Sequence, residues 1–209
     1  MNSYNLKRLA LNVFYPNVCP FCGKIIPYDE YFDDECDDLA RCRESSRQFF
    51  RAVYYNDKSK PLITAAKEHA DGAAISAAAR LMFEEIRDHT FGVITAVPPS
   101  KARLAENGYS FPELLARELA AMCGTRYRKL LVKKFETKEQ KDLTAEERRL
   151  NVEGAFLAVN ERFVRGGDIL LVDDVSTTGA TMNEATRALF AAGATSVTPA
   201  VFAQTPLNV

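Results

Sequence analysis

The chain has 209 residues and a mass of 23.3 kDa, which at about 150 residues per domain allows one full domain with a small appendage and excludes two ordinary enzyme domains. Its 27 Lys and Arg against 28 Asp and Glu leave a net charge of −1, so no overall basic field draws in nucleic acid or an anionic membrane. Any anion must be held by a local site. With 47% hydrophobic and 26% charged residues the composition is that of a globular protein with a core of useful size.

Four of the five cysteines, Cys19, Cys22, Cys36 and Cys42, lie near the N-terminus, and Cys123 stands alone later. They mark a module over residues 1–46, followed by a larger domain over 47–209. No apolar run is long enough to span a membrane, and Asn12, Pro16 and Asn17 interrupt the N-terminal apolar stretch, so a cytoplasmic location is expected. In a reducing compartment cysteines serve as metal ligands, catalytic groups or buried thiols rather than as disulfides. Cys19-Pro20-Phe21-Cys22-Gly23 is a knuckle that lets two thiolates grip one Zn²⁺, with Cys36 and Cys42 as the second pair. A redox Cys-x-x-Cys and a module of merely buried thiols remain as alternatives. Between the pairs, seven acids in the ten positions from Asp29 to Asp38 predict a solvated loop.

From Phe49 to Tyr55 aromatic and β-branched residues predict a first strand. Ile75, Ala78, Ala79, Met82 and Ile86 recur at spacings of three and four, the apolar face of a helix that Gly72 separates from an earlier one. Val93 to Val97, ended by Pro98-Pro99, predicts a buried strand, and a helix follows over Pro112 to Met122. Leu130 to Val132 reads as a strand, and the highly charged Glu136 to Arg149 as a loop or exposed helix. The four apolar residues Ile169 to Val172 fit a strand buried on both faces of a parallel sheet. Its helix starts at Gly179, buries Met182, Ala185, Leu189 and Ala192, and ends at Gly193. The last strand, Ser196 to Phe202, contains Pro199, which predicts an edge position or a bulge. Strands alternating with helices define an α/β fold.

The segment from Ile169 to Thr181 carries the chemistry. A buried strand delivers Asp173 and Asp174 to its C-terminal end, where open α/β sheets place ligands. The hydroxyls of Ser176, Thr177, Thr178 and Thr181 then surround Gly179 and Ala180 at a helix start, where unpaired N–H groups and the positive helix end cradle a phosphate. A phosphorylated sugar fits this pattern, its phosphate in the turn and its hydroxyls on the carboxylates, with Mg²⁺ sharing their oxygens. A P-loop string, and with it an NTPase, is absent. His69 and His89 read as surface residues, and Lys67 as a solvated helix lysine with substrate contact as the alternative.

The apolar run, the two acids and the Thr-Gly-x-Thr loop resemble the type I phosphoribosyltransferases. More narrowly, the chain resembles the ComF family of that superfamily, an amidophosphoribosyltransferase-like group. That resemblance rests on Val97-Pro98, Lys101, Arg103-Leu104, Gly108-Tyr109 and Glu113 to Arg117, then Thr137, Gln140, Leu143, Arg148, Asn151 and Gly154-Ala155-Phe156, together with the cysteine module. It implies a parallel sheet flanked by helices and a Mg²⁺-dependent transfer of the phosphoribosyl group of phosphoribosyl pyrophosphate to a nitrogen acceptor. Asp173 and Asp174 would hold the ribose hydroxyls and Ser176 to Thr181 the 5′-phosphate. Lys101 and Arg103 would supply cations to the pyrophosphate loop from Pro98 to Tyr109. Glu136 to Asn151 matches the loop that closes over substrate, with Lys138, Lys141 and Arg148 reaching the leaving group.

The chain departs from the ComF pattern where Ser100, Ala102, Ala105 and Asn107 replace basic positions and Ser110 replaces Asn. Fewer cations weaken the hold on a multiply charged leaving group. Two rivals to the enzyme follow: a non-catalytic sensor of phosphoribosyl pyrophosphate, and an accessory protein of DNA uptake and competence. Net charge and the acidic loop disfavour direct DNA contact without closing the question, and a homodimer is compatible with all three readings.

Overall fold

A computed structural model describes residues 18–19, 24–27, 49–57, 59–135 and 151–205. In chain order the elements are β1 (Phe50–Tyr54), α1 (Lys60–Glu68), α2 (Gly72–Ile86), β2 (Val93–Ala96), α3 (Lys101–Asn107), α4 (Phe111–Met122), β3 (Leu131–Lys133), β4 (Phe156–Ala158), α5 (Glu161–Val164), β5 (Asp168–Ser176), α6 (Ala180–Ala191) and β6 (Ser196–Gln204). This is the expected α/β fold, a parallel sheet flanked by helices.

The sheet runs β1-β6-β5-β2 with every pairing parallel. Residues 126–128 extend it beyond β2, since Ile94 N–H donates to Arg126 O at 3.0 Å and Arg128 N–H to Ile94 O at 2.9 Å. Because successive strand residues face opposite sides, β5 divides its apolar residues between two cores. Leu170 and Val172 join Ile94, Ala96 and Phe202 under α1, α2 and α4, whereas Ile169 and Leu171 join Val93, Val201 and the α6 residues Met182, Ala185 and Leu189. A strand buried on both faces needs apolar residues at consecutive positions, which explains the unbroken run that begins at Ile169.

Local chemistry sets the helix boundaries. Asp71 caps α2, accepting from Ala73 N–H at 2.8 Å and Ala74 N–H at 3.3 Å. Ile75, Ala78, Ala79, Met82 and Ile86 are all buried, as their spacing predicts. Ser110 caps α4 and Pro112 occupies its first turn, where a missing N–H costs nothing. Gly193 follows α6 with φ +95°, although Ala192 is only partly buried.

The strand expected at Leu130 to Val132 is present as β3, outside the parallel sheet: β3 and β4 form an antiparallel pair beside α6, with Val132 opposite Leu157. The polar segment from Glu136 to Arg149 lies outside the described residues, between these two strands. Pro199 is not on an edge strand, since β6 lies between β1 and β5. It precedes Ala200, the first residue of β6 paired to β1, so β6 is still an edge on that side at Pro199, where a missing N–H is tolerated. Finally, β5 does not end at Val172 but continues through both acids to Ser176.

Residues 18–27 are partly described. Val18 and Ile25 form an antiparallel bridge, Cys19 N–H donates to Lys24 O at 2.7 Å, and Cys19 and Ile26 are buried in the cluster beneath α1 and α2. Cys22, Cys36 and Cys42 lie outside the described residues. Among the described residues no helix is long and apolar enough to cross a membrane.

Leu170 is fully buried in the centre of the sheet. Leu170→Ala is expected to lower the unfolding free energy by about 2–5 kcal/mol in a denaturant titration, the range for truncating a packed leucine.

Candidate functional site

The C-terminal end of β5 opens into a small recess lined by Asp173, Val175, Ser176, Thr177, Thr178, Gly179, Ala180, Thr181 and Met182. Every residue assigned to the sugar phosphate therefore lines one concavity except Asp174. At its far end stands the first turn of α6, whose N–H groups have no acceptors within the helix. Gly179 makes the geometry possible. It takes φ +77°, a left-handed conformation that strains other residues, although a Cβ there would meet Phe49 Cε1 at 3.6 Å and Asn183 Nδ2 at 3.7 Å in ordinary contact. Asn183 N–H donates to Gly179 O at 2.8 Å, which closes the first helical ring.

Asp173 and Asp174 are 8% and 6% exposed and lie inside β5, not beyond its buried run as the sequence suggested. Being adjacent on a strand, they project to opposite faces. Asp173 turns to the α6 side and lines the recess. Asp174 turns to the α1 side, where its Oδ2 stands 2.6 Å from Lys67 Nζ. Each also accepts the next backbone N–H, Asp174 N–H to Asp173 Oδ1 at 2.9 Å and Val175 N–H to Asp174 Oδ1 at 2.7 Å.

These surroundings push the two carboxyls apart. Burial and the charge of Asp174 raise Asp173 well above the ordinary carboxylate range, despite the opposing Asp174 N–H and Lys67. Burial pushes Asp174 up too, but the charge and hydrogen bond of Lys67, the Val175 N–H and the charge of Arg103 outweigh it and hold that carboxyl low. The same environment thus shifts the two carboxyls in opposite directions.

Lys67, read from the sequence as a solvated helix lysine with substrate contact as the alternative, has a side chain that is 26% exposed and ion-paired to Asp174. Ile63 and Ala66 are buried, and Lys67 lies four and one residues beyond them on α1. Its spacing from Ile63 places it on the inner face, a signal that was present in the sequence. Tyr109, quoted only as part of a motif, is also structural to the site: its hydroxyl donates to Lys67 O at 2.7 Å and accepts from Ala70 N–H at 2.8 Å. His69 and His89 are exposed, as expected.

Lys101 and Arg103 are exposed on α3, a short helix that buries none of its residues. Arg103 is the one whose charge is felt at Asp174. Two departures from the basic pattern have a structural role here: Ser100 caps α3 through Arg103 N–H at 3.2 Å, and Ser110 caps α4 through Glu113 N–H at 3.4 Å. Arg148, with Lys138 and Lys141, lies outside the described residues.

Among the described residues no three His, Cys, Asp or Glu side chains gather as a metal cage. Mg²⁺ commonly binds through one or two carboxylates together with substrate phosphate oxygens and water. Asp173, buried and lining the recess, fits that mode, because a cation there would offset the cost of its ionisation.

Comparison with known proteins defines the class. The model of the phosphoribosyl transferase domain matches residues 69–206, and the chain belongs to that family. It is similar to competence protein F of Haemophilus influenzae, 28% identical over 179 residues covering 81% of this chain and 78% of that protein. It is also similar to competence protein ComFC of Streptococcus pneumoniae, 29% identical over 186 residues covering 86% and 77%. Among solved structures, the glutamine phosphoribosylpyrophosphate amidotransferase from B. subtilis complexed with ADP and GMP matches at 24% identity and a TM-score of 0.42. That match covers 61% of this chain and only 26% of the amidotransferase chain.

Replacing the two acids singly by their neutral isosteres should have opposite effects on stability. A carboxyl raised in the folded state contributes stability that is present at low pH and lost as pH rises through its folded value; a carboxyl held low contributes stability above the ordinary range and loses it on acidification. Asp173→Asn is therefore expected to raise the melting temperature at pH 7, with little effect at pH 4. Asp174→Asn is expected to lower it at pH 7 by removing an ion pair worth about 1 kcal/mol, since Lys67 retains access to water. Melting curves across pH 4 to 8 check both signs.

Proposed function

We propose that this protein binds phosphoribosyl pyrophosphate with Mg²⁺ and transfers its phosphoribosyl group to a nitrogen acceptor. The observation that carries the reading is the shared recess, whose lining combines a buried carboxyl, Asp173, with the hydroxyl-rich turn that starts α6. Acceptor and donor groups lining one recess suit the hydroxyl and phosphate groups of a sugar phosphate. In this reading Ser176, Thr177, Thr178, Gly179, Ala180 and Thr181 receive the 5′-phosphate through backbone N–H and hydroxyl donors. Asp173 and Asp174 accept hydrogen bonds from the ribose hydroxyls. When bound, Mg²⁺ would neutralise charge on the pyrophosphate, held on this chain through the Asp173 carboxylate.

In the reaction the acceptor nitrogen attacks C1′ as the bond from C1′ to the pyrophosphate oxygen breaks, and pyrophosphate leaves with the electron pair. Lys101, Arg103 and Arg148 are assigned to the leaving group. The protein contributes mainly positioning and charge stabilisation. For the cysteine module, Cys19 fits a structural Zn²⁺ site with Cys22, Cys36 and Cys42, because it is buried on a segment closed by the Val18–Ile25 bridge. One zinc per chain by elemental analysis, lost in Cys19→Ser, is the expected result.

A second reading is a non-catalytic sensor or an accessory protein of DNA uptake. Two observations favour it: α3 offers only Lys101 and Arg103 as cations, and the similar proteins are named for competence.

The double replacement Asp173→Asn with Asp174→Asn is expected to abolish phosphoribosyl pyrophosphate binding in a calorimetric titration with Mg²⁺, and unchanged affinity would falsify the site. Arg103→Ala is expected to reduce turnover by about tenfold or more with a smaller effect on affinity, as for loss of one charge-assisted contact. Binding without pyrophosphate release across a panel of nitrogen acceptors would establish the second reading instead.

A further inference from the structure

One hydroxyl links the candidate pyrophosphate loop to the ribose carboxylates. Gly108 ends α3 in the left-handed conformation, φ +74°, and Ser110 begins α4 as its cap, so Tyr109 is fixed between two helix termini. From there its side chain crosses to the end of α1. The Lys67 carbonyl, in the last turn of α1, has no helical N–H to receive. The Ala70 N–H belongs to the three-residue connection between α1 and α2, and Ala70 holds φ +49°, a left-handed conformation that costs an L-residue about 1 kcal/mol. The Tyr109 hydroxyl serves both, donating to Lys67 O at 2.7 Å and accepting from Ala70 N–H at 2.8 Å. The residue whose carbonyl it holds is the one whose ammonium stands 2.6 Å from Asp174.

We propose that Tyr109 is a positioning residue, whose hydroxyl fixes the end of α1 so that Lys67 stays against Asp174. It thereby couples the Lys101–Tyr109 segment to the carboxylate that reads the ribose. This rests on the proposed function for its substrate and on geometry alone for the clamp. Two neighbouring caps hold the tyrosine, so motion of α3 is transmitted to α1 rather than absorbed. Since the Arg103 charge already acts on Asp174, the same segment reaches that carboxylate by two routes, one electrostatic and one through the backbone of α1.

The test compares wild type, Tyr109→Phe, Lys67→Met and the double variant in the full-length protein. With Mg²⁺ and phosphoribosyl pyrophosphate, Tyr109→Phe should weaken binding about fivefold, the change expected for one lost neutral hydrogen bond. The double variant should bind no more weakly than Lys67→Met, because Tyr109 acts through Lys67. Unchanged affinity in Tyr109→Phe, or effects that multiply in the double variant, would overturn the proposal. The ligand-free readout is the Lys67 ammonium resonance in nitrogen-edited NMR, which is visible when a carboxylate slows its proton exchange. Its loss in Tyr109→Phe supports the clamp, and its persistence refutes it. If wild type fails to bind phosphoribosyl pyrophosphate, the proposed function falls while this resonance still decides the clamp. Should Tyr109→Phe unfold, the same comparison in an Ala70→Gly background, where the left-handed turn costs little, returns the answer.

Discussion

Two adjacent carboxylates on a strand buried on both faces must point in opposite directions, and the rest of this site follows from that constraint. β5 is enclosed by β2 and β6 and covered by helices on each side, and both acids are largely buried. Asp173 is committed to the recess above α6 and Asp174 to the α1 face. Two charges forced into low dielectric so close together are costly unless each is separately compensated. The fold supplies one cation from a different element, Lys67, and leaves the other carboxyl inclined to hold a proton.

That asymmetry separates the two acids in chemical role. Asp174 is held low by its ion pair with Lys67, whereas burial and the neighbouring charge push Asp173 up, so a positive or hydrogen-donating group entering the recess would favour its ionised form. In the proposed reading, Mg²⁺ and the ribose hydroxyls of a bound sugar phosphate supply both. In that reading the phosphate end needs no lysine or arginine, because hydroxyls and the α6 N-terminus provide donors whose direction is set by the backbone, and a nearly neutral chain would still hold a highly charged anion.

The loop that would face the leaving group shows a different balance. Ser100 and Ser110 are both used to begin helices, and these caps stabilise α3 and α4. Tyr109 between them ties this segment to α1, so its influence on the site passes through the backbone as well as through Arg103. Local stability and long-range placement are thus served by neighbouring residues of one short stretch.

Periodicity and turn chemistry determined much by themselves. The buried face of α2, the apolar run of β5, the glycine at the start of α6 and the hydroxyl-rich turn were all legible, because each depends on residues close together in sequence. The sequence also showed Asp173 and Asp174 as a pair, but it placed them at the end of the strand rather than inside it, and their opposite directions follow from the continuation of β5 to Ser176. Only the tertiary structure decided what each one meets, since Lys67 lies more than a hundred residues away on α1 and Tyr109 reaches it from a third element. Pro199 makes the same point: a local rule assigned it to an edge, and the late start of β1 pairing allowed it into an interior strand. Local propensity fixes which groups are presented, but the pairing of distant charges and the order of strands depend on contacts across the sheet, which no short window of sequence contains.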